Sequence, residues 1–421
     1  MIFLDINTNF SDRGGGIRTY HRAKTDWFNR QRRHRYYLVV PGPGRGAKRL
    51  GSRAVRIEVY GLPLGCGYRL LLDFFAVWQV IRRTRPDVIE AGDPFLTGLF
   101  CLLIRRTAWF RGWLAAFYHS DPIETWLVPW AATGNSRMRD AVKDLAGDLF
   151  YRLQRLYDAT IVTSRTMENH LRAKGVGRLE RVPLGADPAF VQTGAAGALR
   201  EAQGSAESAS EKIRLLYVGR LGKDKAADLL WQALPLIMQS PRVELTVLGS
   251  GQYERDFASA SFPGYHYLGY VSDRARVAEI FRQHQILLAP GPYETFGLAV
   301  LEAMASGLVV VGPDRGGTAE LLAEAESPFV FRAGNLDDFV RATRAALAAD
   351  LAPHAARARS VARQYGTWPE AIGRLVAYYE RVAPRPASAV SGRWKRADPA
   401  GRGVGRRASS AMGPAGIGTD E

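Results

Sequence analysis

The chain predicts an α/β protein made of two Rossmann-like parallel-sheet domains facing a deep cleft. Three observations carry this. Short apolar runs alternate with helical patterns along most of the sequence. The length of 421 residues exceeds what one ordinary core fills. A change of composition near the middle is followed by a restart of the same alternation.

In the first half, apolar runs predict strands at 2–6, 36–40, 55–60, 87–90, 113–118, 159–163 and 179–182. Helices fill the gaps, among them 19–29, 69–83 and 164–174. The 69–83 helix is apolar on most faces, which suits packing on a sheet and leaves a membrane surface as the other reading. The stretch TGAAGALREAQGSAESASEK is small, polar and flexible, and reads as an interdomain linker or surface loop. Beyond it, strands are expected at 213–219, 243–249, 265–270, 285–290 and 308–312, with helices at 225–239, 297–306 and 317–325. A last helix covers 369–382, and the Gly-, Ala-, Pro- and Arg-rich remainder is expected to be disordered. The expected organisation is therefore an N-terminal domain at 1–190, a linker at 191–210 and a C-terminal domain at 211–366. A helix at 367–383 returns to the N-domain, and a basic tail fills 384–421.

An apolar fraction of 47% excludes global disorder. Two cysteines, Cys66 and Cys101, offer neither a metal-ligand spacing nor a disulfide framework, which suits a reducing compartment. The opening MIFLDINTNF lacks a basic leader. The runs RLLLDFFAVWQVI and FLTGLFCLLI fall short of the roughly 20 residues that span a bilayer. The expectation is a soluble or peripheral cytoplasmic protein, at the inner face of the membrane if it docks there.

The formal charge is +16, and residues 1–60 alone carry +9, from thirteen Lys/Arg against four Asp/Glu. A solvated basic face and attraction to anionic lipid or an anionic substrate both account for it. Nucleic acid is disfavoured, because no binding motif accompanies the charge.

Three glycine-containing turns sit where a strand hands over to a helix. In SDRGGGIRTY, Gly14, Gly15 and Gly16 open a helix, where backbone N–H groups approach an anion; a tight turn chosen for φ/ψ freedom explains them equally. In VGRLGKDKAADLL, Arg220 and Lys225 follow a strand end beside a helix N-terminus, either as a diphosphate clamp or as two surface cations on a turn. In PYETFGLAVLEAMASG, Glu294 lies in the turn and Glu302 about one and a half helical turns further on. Both carboxylates are expected to face the cleft and accept sugar hydroxyls, with the amides of Phe296, Gly297 and Leu298 pointing into it. Glu302 stands among Leu301, Ala303 and Met304, so it needs partners to offset its desolvation.

Glu294 and Glu302, with seven residues between them, resemble the E-x7-E signature of the retaining glycosyltransferases of family 4, which have the GT-B fold. GGGIRTY is similar to the family's Gly-Gly loop, AFYHSD to its histidine after a core strand, and VTSRTMENHLRAKGV through Asp187 to its hinge-side segment. VGRLGKDKAADLL resembles the donor clamp, LGSGQYERDF the Gly-x-Gly turn, and GPDRGGTAELL the late Gly-Gly-x-x-Glu. The resemblance covers residues 1–382 in the family's order.

It implies that Arg220 and Lys225 hold a donor diphosphate, Glu294 meets hydroxyls of the transferred sugar, and Glu302 binds the ribose. His119 contacts the sugar or the developing charge, and Gly15 with Gly16 lets the N-domain close over the phosphates. The implied donor set also takes in Gly219, Thr295, Phe296, Gly297 and Leu298. The chemistry implied is metal-free and without cofactor; no Asp-x-Asp is present in the sequence. Two departures stand out: Ala226 follows the clamp lysine where the family often has glycine, and EAGDP puts Gly92 and Asp93 where it often has histidine. The resemblance is strongest to GDP-mannose-dependent α-mannosyltransferases acting on a glycan or lipid-linked acceptor. The alternatives are a UDP-sugar transferase of the same fold, an epimerase or phosphorylase, and a non-catalytic binding subunit. Residues 60–140, with Trp78, Trp109, Trp113, Trp126 and Trp130, are expected to shape the acceptor side, most of these tryptophans serving as core.

Overall fold

A computed structural model describes residues 1–8, 10–11, 15–65, 68–93, 96–107, 110–123, 136–191 and 212–383. The linker at 191–210 (beyond Val191), the basic tail, Gly14, Cys66, Trp109, Trp126 and Trp130 lie outside them.

The first lobe begins with β1 (Ile2–Ile6), α1 (Gly16–Arg30), β2 (Arg35–Gly42), β3 (Gly46–Arg49), β4 (Ala54–Gly65) and β5 (Tyr68–Leu71). It continues through α2 (Phe74–Thr84), β6 (Val88–Ala91), α3 (Leu96–Arg105), β7 (Trp113–Phe117) and α4 (Ser136–Gln154) to β8 (Ala159–Val162), α5 (Arg165–Ala173) and β9 (Leu179–Arg181). Its strands form one sheet in the order β3-β4-β2-β1-β6-β7-β8-β9, parallel except that β3 and β5 run antiparallel to β4. After the short α6 (Pro188–Val191), the second lobe runs β10 (Ile213–Val218), α7 (Ala227–Ile237), β11 (Val243–Leu248), α8 (Glu254–Ser259), β12 (Tyr265–Gly269) and α9 (Arg274–Arg282). Then follow β13 (Ile286–Leu288), α10 (Leu298–Ala305), β14 (Val309–Pro313), α11 (Gly316–Glu324), β15 (Val330–Phe331), α12 (Leu336–Ala348) and α13 (Leu351–Tyr365). Its sheet order is β12-β11-β10-β13-β14-β15, parallel throughout.

The final helix, α14 (Trp368–Val382), leaves the second lobe and packs on α1. Trp368, Ile372, Leu375 and Tyr379 join Phe3, Phe28, Tyr36 and Leu38 in one buried core. Both lobes lie within one compact unit, Met1–Pro384. Their two crossings run side by side: the Ala186 N–H donates to Gly366 O at 2.9 Å and the Trp368 N–H to Ala186 O at 3.1 Å.

One expected helix is shorter than its apolar pattern. Residues 69–71 belong to β5, paired with β4, and α2 starts only at Phe74. Asp73 makes the boundary: its carboxylate accepts the Ala76 N–H at 3.1 Å and is gripped by Arg45 at 2.6 and 2.9 Å. Strands β3 and β15 and helices α8, α9, α12 and α13 lie outside the elements that the apolar runs name.

A charged group lies inside the first lobe. Lys24, only 1% exposed, bonds Asp5 at 2.7 Å and Glu90 at 3.1 Å. Tyr20 and Tyr379 donate to the two Glu90 oxygens at 2.7 and 2.8 Å, and Tyr36 donates to Asp5 at 2.9 Å. Burial pushes both carboxyls up, and Lys24 pulls against that shift. Burial alone would lower the Lys24 ammonium, but Asp5 and Glu90 outweigh it and raise it.

Candidate functional site

In an open parallel sheet, ligands bind beyond the carboxyl ends of the strands where the strand order reverses. In the second lobe that point lies between β10 and β13. The loop after β10 carries Gly219, Arg220 and Lys225; the loop after β13 carries Gly291 and Glu294.

Backbone crowding holds these loops together. The Gly219 N–H donates to Leu248 O at 3.1 Å, and Gly249, at φ +154°, passes so close to Gly219 O that a Cβ would overlap it. A 3-10 turn at Lys223–Lys225 then presents Lys225. Its Nζ lies 2.5 Å from Glu294 Oε1, with both side chains 28% exposed. Arg220 bends instead to Asp224 at 2.6 Å. Ala226 occupies the left-handed region at φ 48°, which explains why glycine suits this position and costs the alanine about 1–2 kcal/mol.

A third glycine turn closes on the same loop. Gly316, at φ +71°, abuts the carbonyls of Pro292 and Glu294, and the Gly317 N–H donates to Glu294 O at 2.6 Å. Gly297, at φ +88°, caps α10. Phe296 turns its ring into the second-lobe core, edge-on to Tyr365, while Leu298 packs against the first-lobe core, where a Cβ on Gly16 would just touch it. Gly15 caps α1 at φ +95°. Arg18, one turn into the sequence of α1, donates to the Tyr270 hydroxyl at 2.9 Å across the lobes.

Thr295 has a different occupation from the one its position suggests. Its hydroxyl donates to His119 O at 2.9 Å, and its carbonyl accepts from the Ser164 hydroxyl at 2.7 Å, so it ties the lobes together. Glu320 adds to that tie by accepting the Arg165 and Thr166 N–H groups at 2.9 and 2.7 Å.

Glu302 is 3% exposed and is not in contact with Lys225 or Arg220; its partner is Arg274 at the start of α9. Arg274 also reaches toward Asp187 at 3.5 Å and lies over the Phe190 ring at 4.7 Å. Burial raises the Glu302 carboxyl, while Arg274 pulls it back. The need for a partner was legible in the apolar helix, but its identity was not. Arg274 and Asp187 are 87 residues apart in sequence and meet only through the fold.

His119 stacks on Phe117 at 4.3 Å and meets Tyr20 edge-on at 5.1 Å. Its Nε2 is buried with no hydrogen-bond partner among the described residues. Burial, then His21 and Lys24, hold its pKa well below the usual 6.5, so the ring is neutral and acts as a hydrogen-bonding group. The consequence is measurable. Below about pH 6.5 the unfolded chain takes up a proton at this position that the folded chain refuses, so stability falls as pH falls. His119→Asn should flatten the stability–pH curve there by one proton, about 1.4 kcal/mol per pH unit. Denaturant titrations of both proteins at several pH values check this; equal slopes would refute it.

Between the lobes lies a cavity of about 340 Å³, bordered by Asp121, Met167 and His170 on one side and by Tyr293, Glu294 and Arg315 on the other.

Comparison with known proteins gives this geometry a family. The profile of Glycosyltransferase Family 4 matches residues 14–190, and that of Glycosyl transferases group 1 matches residues 212–349. The chain belongs to glycosyltransferase family 4. The transferase is 29% identical over 358 residues to a GDP-mannose-dependent alpha-mannosyltransferase of Mycobacterium tuberculosis, covering 82% of this chain and 86% of that one. It is 26% identical to the GDP-mannose-dependent alpha-(1-6)-phosphatidylinositol dimannoside mannosyltransferase of the same species, covering 74% and 79%. Among solved structures, sucrose-phosphate synthase from Thermosynechococcus elongatus superposes with a TM-score of 0.70 at 17% identity, over 90% of this chain and 99% of that one. Anabaena HepE in complex with UDP gives 0.64 at 16%, over 91% and 100%. These structures establish the GT-B fold. The transferase is thus a GT-B hexosyltransferase working with a nucleotide-sugar donor.

Proposed function

We propose that the transferase moves a hexosyl group from a nucleoside diphosphate sugar to a glycan or lipid-linked acceptor with retention at the anomeric carbon. The observation that carries this reading is the Lys225–Glu294 pair, at 2.5 Å, at the switch point of the second sheet. An entering diphosphate competes for Lys225 and draws Arg220 from Asp224, releasing Glu294 to accept hydroxyls of the transferred sugar. Glu302 binds the ribose, and the amides of Phe296, Gly297 and Leu298 with the Gly219 turn line the phosphates. Gly15 and Gly16 close over them from the first lobe. As the glycosidic bond breaks, negative charge grows on the leaving phosphate, so fixed cations there stabilise the transition state more than the ground state. The acceptor attacks from the face the diphosphate leaves and passes its proton to that phosphate. Neutral His119 offers its Nε2 to a sugar hydroxyl.

GDP-mannose is one candidate donor, supported by the mannosyltransferases among the relatives. A UDP-hexose is the second, since this fold holds UDP in the Anabaena protein. Thermal shifts with GDP, UDP, ADP and their sugars decide between them. The true nucleotide should stabilise the chain by about 2.7 kcal/mol at a hundredfold excess over its Kd. No shift with any of them would contradict the reading.

Docking to an anionic membrane at the cytoplasmic face belongs to the same proposal. Leu62 and Leu64 on β4, Phe75 on α2 and Leu103 on α3 are exposed on the lobe that holds the +9 segment. No helix among the described residues is long and apolar enough to cross a membrane.

A further inference from the structure

We propose that Arg274 is the positioning residue for Glu302: it grips one carboxylate oxygen and thereby turns the other toward a ribose hydroxyl of the nucleotide. This rests on the assignment of Glu302 to the ribose and names the group that makes that carboxylate usable.

Glu302 needs such a group. It lies on α10 among Leu301, Ala303 and Met304, all buried, and is itself 3% exposed. A carboxylate so placed either finds a cation or takes up a proton, and the protonated form gives up acceptor capacity. Burial raises this carboxyl, and Arg274 pulls it back toward the ionised form. The Arg274 Nη2 donates to Glu302 Oε1, and among the described residues no group hydrogen-bonds Oε2. One oxygen is fixed while the other can accept from a sugar hydroxyl.

Arg274 is itself firmly held. Asp273 caps α9 by accepting the Ala275 N–H at 2.9 Å, which sets the backbone from which Arg274 projects. The Arg274 Nε lies 3.5 Å from Asp187, a distance for charge attraction rather than a hydrogen bond, and its guanidinium stands 4.7 Å over the Phe190 ring. Phe190 is fully buried and meets Phe281 of α9 edge-on at 5.0 Å. At the far end of α9, Arg282 donates to Ala189 O at 3.1 Å. Both ends of α9 are therefore tied to the segment at 187–190, and the guanidinium has little room to swing away from Glu302.

A flat guanidinium suits this place better than an ammonium, because it offers separate N–H groups to two carboxylates and a face to an aromatic ring. Asp187 directly follows Ala186, whose N–H and carbonyl join the two crossings between the lobes. The carboxylate assigned to the ribose is thus oriented from the seam of the molecule.

The test is calorimetric titration of GDP and UDP, each as the ribonucleotide and the dideoxyribonucleotide, into the full chain. For a nucleotide that binds, the wild type should favour the ribo form by at least about tenfold, the worth of one hydrogen bond to a charged group. Arg274→Met should bring that ratio to within about twofold of unity, with the affinity for the dideoxy form nearly unchanged, since base and phosphate contacts are left alone. Arg274→Lys keeps the charge without the fork and should give an intermediate ratio, which also serves if the methionine variant does not fold. Glu302→Gln should lower the ratio as Arg274→Met does, and combining the two should lower it no further. The wild-type ratio in either Arg274 variant would overturn the proposal. Tighter binding of the ribo form in Arg274→Met would overturn it as well, because Arg274 would then compete with the ribose for Glu302. A further loss in the combined variant would also do so, by showing that Arg274 acts through another group. A wild type that binds nucleotide without preferring the ribo form would strike the assignment of Glu302 beneath it, and one that binds neither nucleotide would strike the function reading itself.

Discussion

Lys225→Ala is expected to lower kcat by at least about a hundredfold while the protein stays folded. The ammonium sits at the strand ends where the sheet order reverses, 2.5 Å from Glu294. As a partly exposed pair it contributes little to stability, roughly 0–1 kcal/mol. Its removal should therefore be felt in the transition state, where charge on the leaving diphosphate is greatest. Arg220→Ala should act in the same direction, because its carboxylate partner Asp224 is on its own loop and is readily exchanged for a phosphate. Arg220→Lys keeps the charge but loses the two-pronged grip, so intermediate activity is expected. Single-turnover rates with saturating donor, alongside melting temperatures, check the set. Near-normal rates in either alanine variant would remove the clamp from the mechanism.

Lys24→Met is expected to have the largest effect on stability, a loss of about 3–5 kcal/mol. The lysine is 1% exposed between Asp5 and Glu90, each 2% exposed. Removing it leaves two buried carboxylates with only tyrosine hydroxyls and the His21 ring beside them. They must then take up protons or lose much of the packing. Both carboxyls already titrate above their usual range, so the variant should recover part of its deficit as pH falls and they protonate. Adding Asp5→Asn and Glu90→Gln should restore stability further, since the charges that need Lys24 are then gone. Denaturant midpoints of the single and triple variants measure this. A single variant as stable as the wild type would mean the ammonium does not neutralise the pair. The cluster also explains why α14 returns to the first lobe: Tyr379 supplies one of the hydrogen bonds that Glu90 needs at 2.8 Å.

Much of the fold was legible because its signals are local. The strands at 2–6 and 213–218 are apolar apart from Asp5 and Arg214, and the turns around Gly297 and Gly316 require positive φ that only glycine adopts cheaply. The spacing of Glu294 and Glu302 was legible for the same reason. Long-range pairing was not. Lys24 meets Glu90 across 66 residues, and Arg274 meets Asp187 across 87. In sequence each of these cations looks like any other member of a basic chain. The helix expected from residue 69 failed because apolar composition does not reveal where a β4–β5 hairpin ends; Asp73 as an N-cap was the available signal. Thr295 was grouped with donor-binding residues by position, yet its hydroxyl and carbonyl are both engaged with the first lobe. The alanine at 226 looked like a minor departure until its left-handed backbone showed what glycine would relieve there.

The central claim is that Arg220 and Lys225 recognise a diphosphate. Calorimetric titration of the nucleoside monophosphate and diphosphate into the wild type and the two alanine variants tests it most directly. The account predicts that the wild type prefers the diphosphate by at least about tenfold, the worth of one charge-assisted hydrogen bond, and that this preference collapses in both variants. A preference that survives in either variant would contradict it.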